Sequence, residues 1–375
     1  MGRNSTPVLW VSGAPGTGKS TAGWGLFTRI AELGGDVAYV DLDQLGLIGP
    51  PPGGGAAGHG IKAANLLRVV AALRLRGVQQ VIVSGVVDPQ RGIEPHLADG
   101  AGAAHVDVTL VRLRCDRAEL RRRFLGRGSS ADLLPELFDA LDELDRSGIG
   151  TVLDTTGQRS DETVDALMDR CVVRPGPVRV IPPLPADDAP RPAPVVVVTG
   201  ATAVGKSTAA WNVLRSLWER DVPTAYVDLG QLGFVHPGPD PAVESALLAT
   251  LWRGYQRWGA GALLVVARDP RPVLHALPQH PVTVIRLDAD AATLTDRVRR
   301  RAAGESALLA GDELRGAPRA LQHQVAGRAV AEAEQLRAAL TGSTVLDTTG
   351  QSPARTSAAL LDVLRPVLGR AAGRW

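Results

Sequence analysis

Short apolar runs alternate along this chain with longer segments whose apolar residues recur at helical spacing. The run Val8-Leu9-Trp10-Val11 predicts a buried strand over 7–12, and the segment after it a helix over about 18–34 that closes at Gly34-Gly35. A second strand, Val37–Asp41, runs into Leu42-Asp43-Gln44-Leu45-Gly46, followed by a Gly/Pro-rich loop from Gly49 to Gly60. A helix over about 61–76 and an apolar strand, Val78–Ser84, come next. A further strand, Val108–Leu113, leads into a helix carrying Leu120, Arg123 and Arg127. A variable, mostly helical segment then ends on Thr151–Gln158. Such alternation predicts βαβ units, an α/β fold with a parallel sheet and helices on both faces. Ligands then bind beyond the carboxyl ends of the strands.

The pattern occurs twice. Val195–Thr199 leads into Gly200–Thr208, displaced by 187 residues from the first copy, and Ala225-Tyr226-Val227-Asp228 repeats the second strand at the same offset. Strands Ala262–Ala267 and Val282–Leu287, a helix over 241–258 and the triplet Leu294, Arg297, Arg301 have counterparts in copy one. Copy two replaces the long loop by His236–Asp240, and its variable segment is 19 residues longer. Both copies close on one octapeptide, Thr-Val-Leu-Asp-Thr-Thr-Gly-Gln, at Thr151–Gln158 and Thr344–Gln351. Ser352 and Pro353 then suit the cap and first turn of a last helix. Two tandem domains are therefore expected, 1–173 and 195–375. The segment 174–194 between them, with eight prolines, reads as a semi-rigid linker, a short strand at Val178–Ile181 being the alternative.

The first strand of each copy ends in Gly-x-x-x-x-Gly-Lys-Ser, the P-loop pattern, with a helix after it. Gly13, Gly16 and Gly18 would let backbone N–H groups curl around a polyphosphate, as would Gly200 and Gly205. The following helix directs its amino-terminal dipole at the same anion. Lys19 and Lys206 would reach the β/γ-phosphates. Ser20 and Ser207, with Thr21 and Thr208 beside them, would place hydroxyls at Mg2+.

Neither third strand ends in a pair of acids; Ser84-Gly85 and Arg268-Asp269 stand there. Carboxylates follow the second strand instead, as Asp41 and Asp43 in copy one and Asp228 in copy two. They could order Mg2+-bound water or accept the proton of an acceptor hydroxyl; a helix cap or turn is the alternative. Arg123 and Arg127 lie four apart, before Gly126–Ser130, and recur as Arg297 and Arg301. Their guanidinium groups suit a transferring phosphoryl, the alternative being a solvated basic face. The octapeptide could frame the base or the P-loop, or form a turn. The Gly49–Gly60 loop is a disordered surface loop or a substrate lid, and Arg91 an anion contact or plain surface. His59 and His96 read as surface residues.

Composition narrows the partners. A net charge of +2 over 375 residues carries no polyelectrolyte signal for nucleic acid or a membrane surface. No charged amino-terminal region precedes an apolar core and no aliphatic run would span a bilayer, so a cytoplasmic protein is expected. Cys115 and Cys171 lack metal-ligand spacing and read as buried thiols. Lysine is rare: only Lys19, Lys62 and Lys206 occur against 38 arginines, and two of the three sit in the P-loops.

Taken together, Gly13–Thr21, Asp41-Leu42-Asp43, the Leu120/Arg123/Arg127 pattern and Leu153-Asp154-Thr155 resemble the small-molecule P-loop kinases. That group includes the nucleoside-monophosphate, shikimate, gluconate, adenylylsulfate and chloramphenicol-phosphotransferase-like enzymes. The resemblance implies ATP and Mg2+ as cofactors, a small hydroxyl- or phosphate-bearing acceptor, acids after the second strand that handle acceptor and metal shell, and lid arginines over the phosphates. Copy two departs where Asp43 becomes Gly230. Phosphotransfer is therefore expected in copy one, with copy two regulatory or divergent, contact between the domains, and assembly into an oligomer left open. The competing readings are a nucleotide-binding regulatory or scaffold protein and an NTPase that drives a partner.

Overall fold

The computed structural model of the chain describes residues 6–50, 55–93, 106–171, 191–305 and 309–372. The first repeat runs β1 (Thr6–Gly13), α1 (Lys19–Glu32), β2 (Val37–Asp41), β3 (Ile48–Gly49), α2 (Gly55–Leu75), β4 (Gln80–Ser84), β5 (Val106–Arg114), α3 (Arg117–Gly126), α4 (Leu134–Ser147), β6 (Thr151–Asp154) and α5 (Ser160–Cys171). The second runs β7 (Val195–Thr199), α6 (Lys206–Trp218), β8 (Thr224–Asp228), α7 (Pro241–Arg257), β9 (Ala262–Val266), α8 (Arg271–Ala276), β10 (Val282–Asp288), α9 (Ala291–Ala302), α10 (Arg319–Ala339), β11 (Thr344–Asp347) and α11 (Pro353–Ala372). Each repeat supplies the P-loop strand and most of the elements of one α/β unit.

Nearly every side chain of β1 and β7 is buried, as a central strand covered on both faces requires. The order β2-β4-β1-β5-β6 puts the P-loop strand in the middle of an all-parallel sheet. The second sheet repeats it as β8-β9-β7-β10-β11. Trp10, Leu26, Tyr39, Ile82 and Leu113 are fully buried in the first core, and valines of β7 pack with Leu214, Leu217 and Leu264 in the second. No helix among the described residues is long and apolar enough to cross a membrane.

The compact units cut across the repeats. Unit 1 comprises Met1–Gly46, Gly55–Ala186 and Gly233–Val243; unit 2 comprises Leu47–Gly54, Asp187–Leu232 and Glu244–Trp375. In unit 2, β3 is an antiparallel edge strand with Ile48 opposite Ala225, and the Tyr226 amide donates to the Leu47 carbonyl at 2.8 Å. Unit 1 shows the same arrangement one repeat apart. Val235 bridges Ala38, the Tyr39 amide donates to the Phe234 carbonyl at 2.9 Å, and the His236 amide to the Val37 carbonyl at 2.8 Å. An unpaired strand edge is satisfied each time by the apolar pair that follows the other repeat's second strand, Leu47-Ile48 or Phe234-Val235. Phe234 rests on Trp24 and Tyr39, with ring centroids 4.7 and 5.9 Å apart. At Gly49 a Cβ would lie 2.5 Å from the Trp218 ring, so no larger residue fits without movement.

Other local expectations shift. Half of the expected Gly49–Gly60 loop is helix, because α2 starts at Gly55. The short helix α8 was not legible, being barely longer than a turn. Of the expected linker only 191–194 falls within the described residues, and Val178–Ile181 and His96 fall outside them.

Candidate functional site

Glycine geometry builds the phosphate cradle. Gly13 has φ +143°, and a Cβ there would stand 2.4 Å from the Leu113 carbonyl oxygen, so only glycine lets the loop leave β1 so close to β5. Gly18 and Gly205 cap α1 and α6 in the left-handed conformation, at φ 96° and 99°. Ser20 and Thr21 are exposed at the start of α1. Lys19 Nζ donates to the Ala14 carbonyl at 3.0 Å, and Lys206 Nζ to those of Gly200 and Ala201, both at 2.8 Å. Burial lowers both ammonium groups to about 8, partly opposed by Asp43 and Asp41 in unit 1 and by Asp228 in unit 2.

Asp41 stands where β2 ends, and Asp43 in the 3-10 turn Leu42–Gly46. Asp41 Oδ1 accepts the Asp43 amide at 3.0 Å, so the turn role open in the sequence is present, together with a position facing the P-loop lysine. Burial, reinforced by the Asp43 charge, raises the Asp41 carboxyl to about 6, against the pull of Lys19 and Lys62. Beside it the Tyr39 hydroxyl shares a hydrogen with Ser84 Oγ at 2.7 Å, and burial raises its pKa.

The residue that sequence reasoning passed over is Lys62. From α2 its Nζ donates to Asp43 Oδ1 at 2.5 Å, and its stem lies over Gly46, where a Cβ would meet Lys62 Cγ at 2.7 Å. One turn on, buried Asn65 donates to the Leu45 carbonyl at 2.7 Å and ties α2 to the turn that carries Asp43. The signal was the scarcity of lysine: all three stand at P-loops or beside the acid pair. Helix and strand spacings after α2 and α7 are equal, which puts Glu244 at the position of Lys62. The pair Asp43–Lys62 is thus Gly230 and Glu244 in the second repeat. Asp228 there accepts Ser207 Oγ at 2.7 Å and the Gly230 amide at 3.0 Å, and burial raises its pKa.

The arginines divide. Arg123 reaches three segments: the Thr17 carbonyl in the P-loop at 3.3 Å, Thr155 Oγ1 and carbonyl at 3.1 and 2.7 Å, and Glu119 at 2.6 Å. Arg297 repeats this on Val204 at 2.7 Å and on Thr348 at 2.9 and 2.8 Å. The octapeptide is thereby explained. Its first Thr after the Asp receives the arginine, and the next one, Thr156 or Thr349, accepts the backbone N–H of Asp116 or Asp290, which caps α3 or α9. Arg127 ends α3, stacks on Phe124 at 4.7 Å, donates to Ser129 Oγ at 3.0 Å and depresses the Lys19 pKa through its charge. Its counterpart Arg301 is bound to Asp312 at 3.0 Å, a carboxylate 2% exposed, contributed by the segment that makes copy two longer.

Asp88 holds its own turn, accepting the amides of Gln90 and Arg91 at 2.9 and 3.0 Å, with half-buried His59 and exposed Arg91 in its field. Cys115 is buried. Among the described residues no three His, Cys, Asp or Glu side chains cluster to hold a metal unaided. A serine hydroxyl with one carboxylate nearby is the donor set that suits Mg2+ shared with phosphate oxygens and water, and the Ser207–Asp228 contact shows that pairing.

No family model matches the chain, and no curated protein matches its sequence. Solved structures align with about half of it, the length of one repeat. The tunicamycin resistance protein of Deinococcus radiodurans is 17% identical over 46% of this chain and 99% of its own, with a TM-score of 0.35. A gluconokinase from Sinorhizobium meliloti 1021 is 18% identical over 45% of this chain and 94% of its own, with a TM-score of 0.32.

Proposed function

We propose that the chain is an ATP- and Mg2+-dependent phosphotransferase acting on a small hydroxyl- or phosphate-bearing metabolite. Transfer belongs to unit 1, and unit 2 has a regulatory or divergent nucleotide site. The observation that carries this reading is the group Lys19, Asp41, Asp43 and Lys62, two members of which unit 2 replaces by Gly230 and Glu244.

In this reading the amides after Gly13 and the start of α1 hold the polyphosphate, and Lys19 turns from the Ala14 carbonyl to the β/γ-phosphates. Arg127, at the open end of α3, lies over the transferring phosphoryl. Arg123 acts through the P-loop as a positioning residue, since its donors are engaged with backbone and Thr155. Asp41 or Asp43 accepts the proton of the acceptor hydroxyl, and Lys62 fixes the Asp43 rotamer. Ser20 and Asp41 would hold Mg2+, which neutralises phosphate charge when bound.

The test uses the full chain, because unit 1 includes Gly233–Val243. Fractionated metabolite pools are incubated with ATP and Mg2+ and followed by mass for gain of a phosphate. A product formed by wild type and by Lys206→Ala but not by Lys19→Ala or Asp43→Gly supports the assignment. A product lost only with Lys206→Ala reverses it. Saturable ATP binding with no acceptor in any pool favours the nucleotide-binding regulator, the reading that the tied Arg301 of unit 2 recommends.

A further inference from the structure

In unit 2 a carboxylate of the protein stands on the P-loop. Glu332, on α10, accepts the Thr202 amide at Oε2, 2.7 Å away, while its Oε1 lies 3.8 Å from Arg268 Nε. The side chain is 14% exposed, and its charge acts on Lys206, the group that reaches the β/γ-phosphates in a P-loop. Unit 1 has no such arrangement to offer. Its residue at the place of Thr202 is Pro15, which has no N–H, and the match of Asp145 on Arg114 with Arg337 on Asp288 puts Ala140, which has no carboxylate, at the place of Glu332.

We infer that Glu332 is a specificity-determining residue of the second P-loop, which takes a nucleoside diphosphate in preference to a triphosphate. The inference rests on the reading that this P-loop binds a nucleotide. The α- and β-phosphates sit in the cradle of amides from Gly205 to Thr208, which Glu332 does not occupy. A third phosphate extends along Lys206 towards the tip of the loop, where Thr202 and Glu332 are. There it meets a fixed negative charge and a lysine whose charge is already partly offset. Charges that share a partly buried site repel strongly, because little water screens them. The diphosphate escapes most of that repulsion.

The experiment is a pair of titrations, Mg2+-ADP and Mg2+-ATP, on the full chain carrying Lys19→Ala so that unit 2 is read alone. Wild-type Glu332 is expected to favour ADP about tenfold or more. Glu332→Gln keeps an acceptor for the Thr202 amide and removes the charge, so the ratio should fall to about one through a gain in ATP affinity. An ADP/ATP ratio that Glu332→Gln leaves unchanged overturns the inference. The nucleotide reading then still stands if Lys206→Ala abolishes both affinities. Absence of saturable binding of either nucleotide to the Glu332 and Glu332→Gln proteins overturns that reading, and the inference with it. Unfolding temperatures are measured alongside. If Glu332→Gln does not fold, Thr202→Pro replaces it: it copies the first loop, removes the N–H that anchors Glu332, and should shift the ratio in the same direction.

Discussion

Lys19 and Asp41 are moved by burial in opposite directions, to about 8 and about 6, so both change charge within the working range of an enzyme. Below pH 6 Asp41 is protonated and cannot take a proton or face a metal; above pH 8 Lys19 loses the charge that attracts phosphate. In the free protein kcat/KM should therefore peak between pH 6 and 8 and fall on both sides. A pH series checks this, and Asp41→Asn should remove the acid limb of whatever activity is left while the alkaline limb of ATP binding stays. Lys62→Met keeps the stem over Gly46 and drops the ammonium that holds Asp43. It should reduce kcat/KM for the acceptor about 10–100-fold while ATP affinity changes less than threefold, measured by steady-state kinetics and by titration. The P-loop turn was legible because its glycines and lysine lie along one stretch of chain, where Gly18 and Gly205 take the left-handed conformation before α1 and α6. Lys62 was not, since 19 positions and a change from turn to helix separate it from Asp43. Only its rarity marked it.

The recurrence of Leu-x-x-Arg-x-x-x-Arg was readable, but it hid two different duties. Arg123 faces inward and joins α3, the P-loop and the end of β6, whereas Arg127 stands at the helix terminus with an aromatic ring beneath it. Arg123→Ala removes the donor shared by the Thr17, Thr155 and Gln158 carbonyls at a partly buried junction, a loss of about 2–4 kcal/mol. The unfolding temperature should drop by roughly 5–10 °C, read by calorimetry. Arg127→Ala should leave that temperature within about 2 °C and lower kcat more than it weakens ATP binding, as a contact that strengthens in the transition state must. Element positions came out well where periodicity was strong, as in β1, α1 and their copies. They failed where backbone pairing alone decides, as for two-residue β3, which carries no periodic signal.

Across the whole molecule, each unit depends on residues encoded in the other repeat, which offset and motif counting could not show. Phe234→Ala should therefore loosen β2, in unit 1, rather than β8. Amide hydrogen exchange at Tyr39, whose N–H bonds the Phe234 carbonyl, should speed up about tenfold, while Tyr226 keeps its wild-type rate. The same arrangement governs how the chain is made. When the first P-loop, its helix and β2 leave the ribosome, the segment Phe234–His236 that will cover the β2 edge is still nearly two hundred codons away. At about 5–20 residues per second the edge waits roughly 10–40 s, a long exposure for an apolar strand on a crowded nascent chain. Unit 1 begins first but stays open until Gly233–Val243 has been made. Slow or paused translation between the codons for Gly46 and Gly233 should raise aggregation of nascent chains, whereas the same pause placed after Val243 should not.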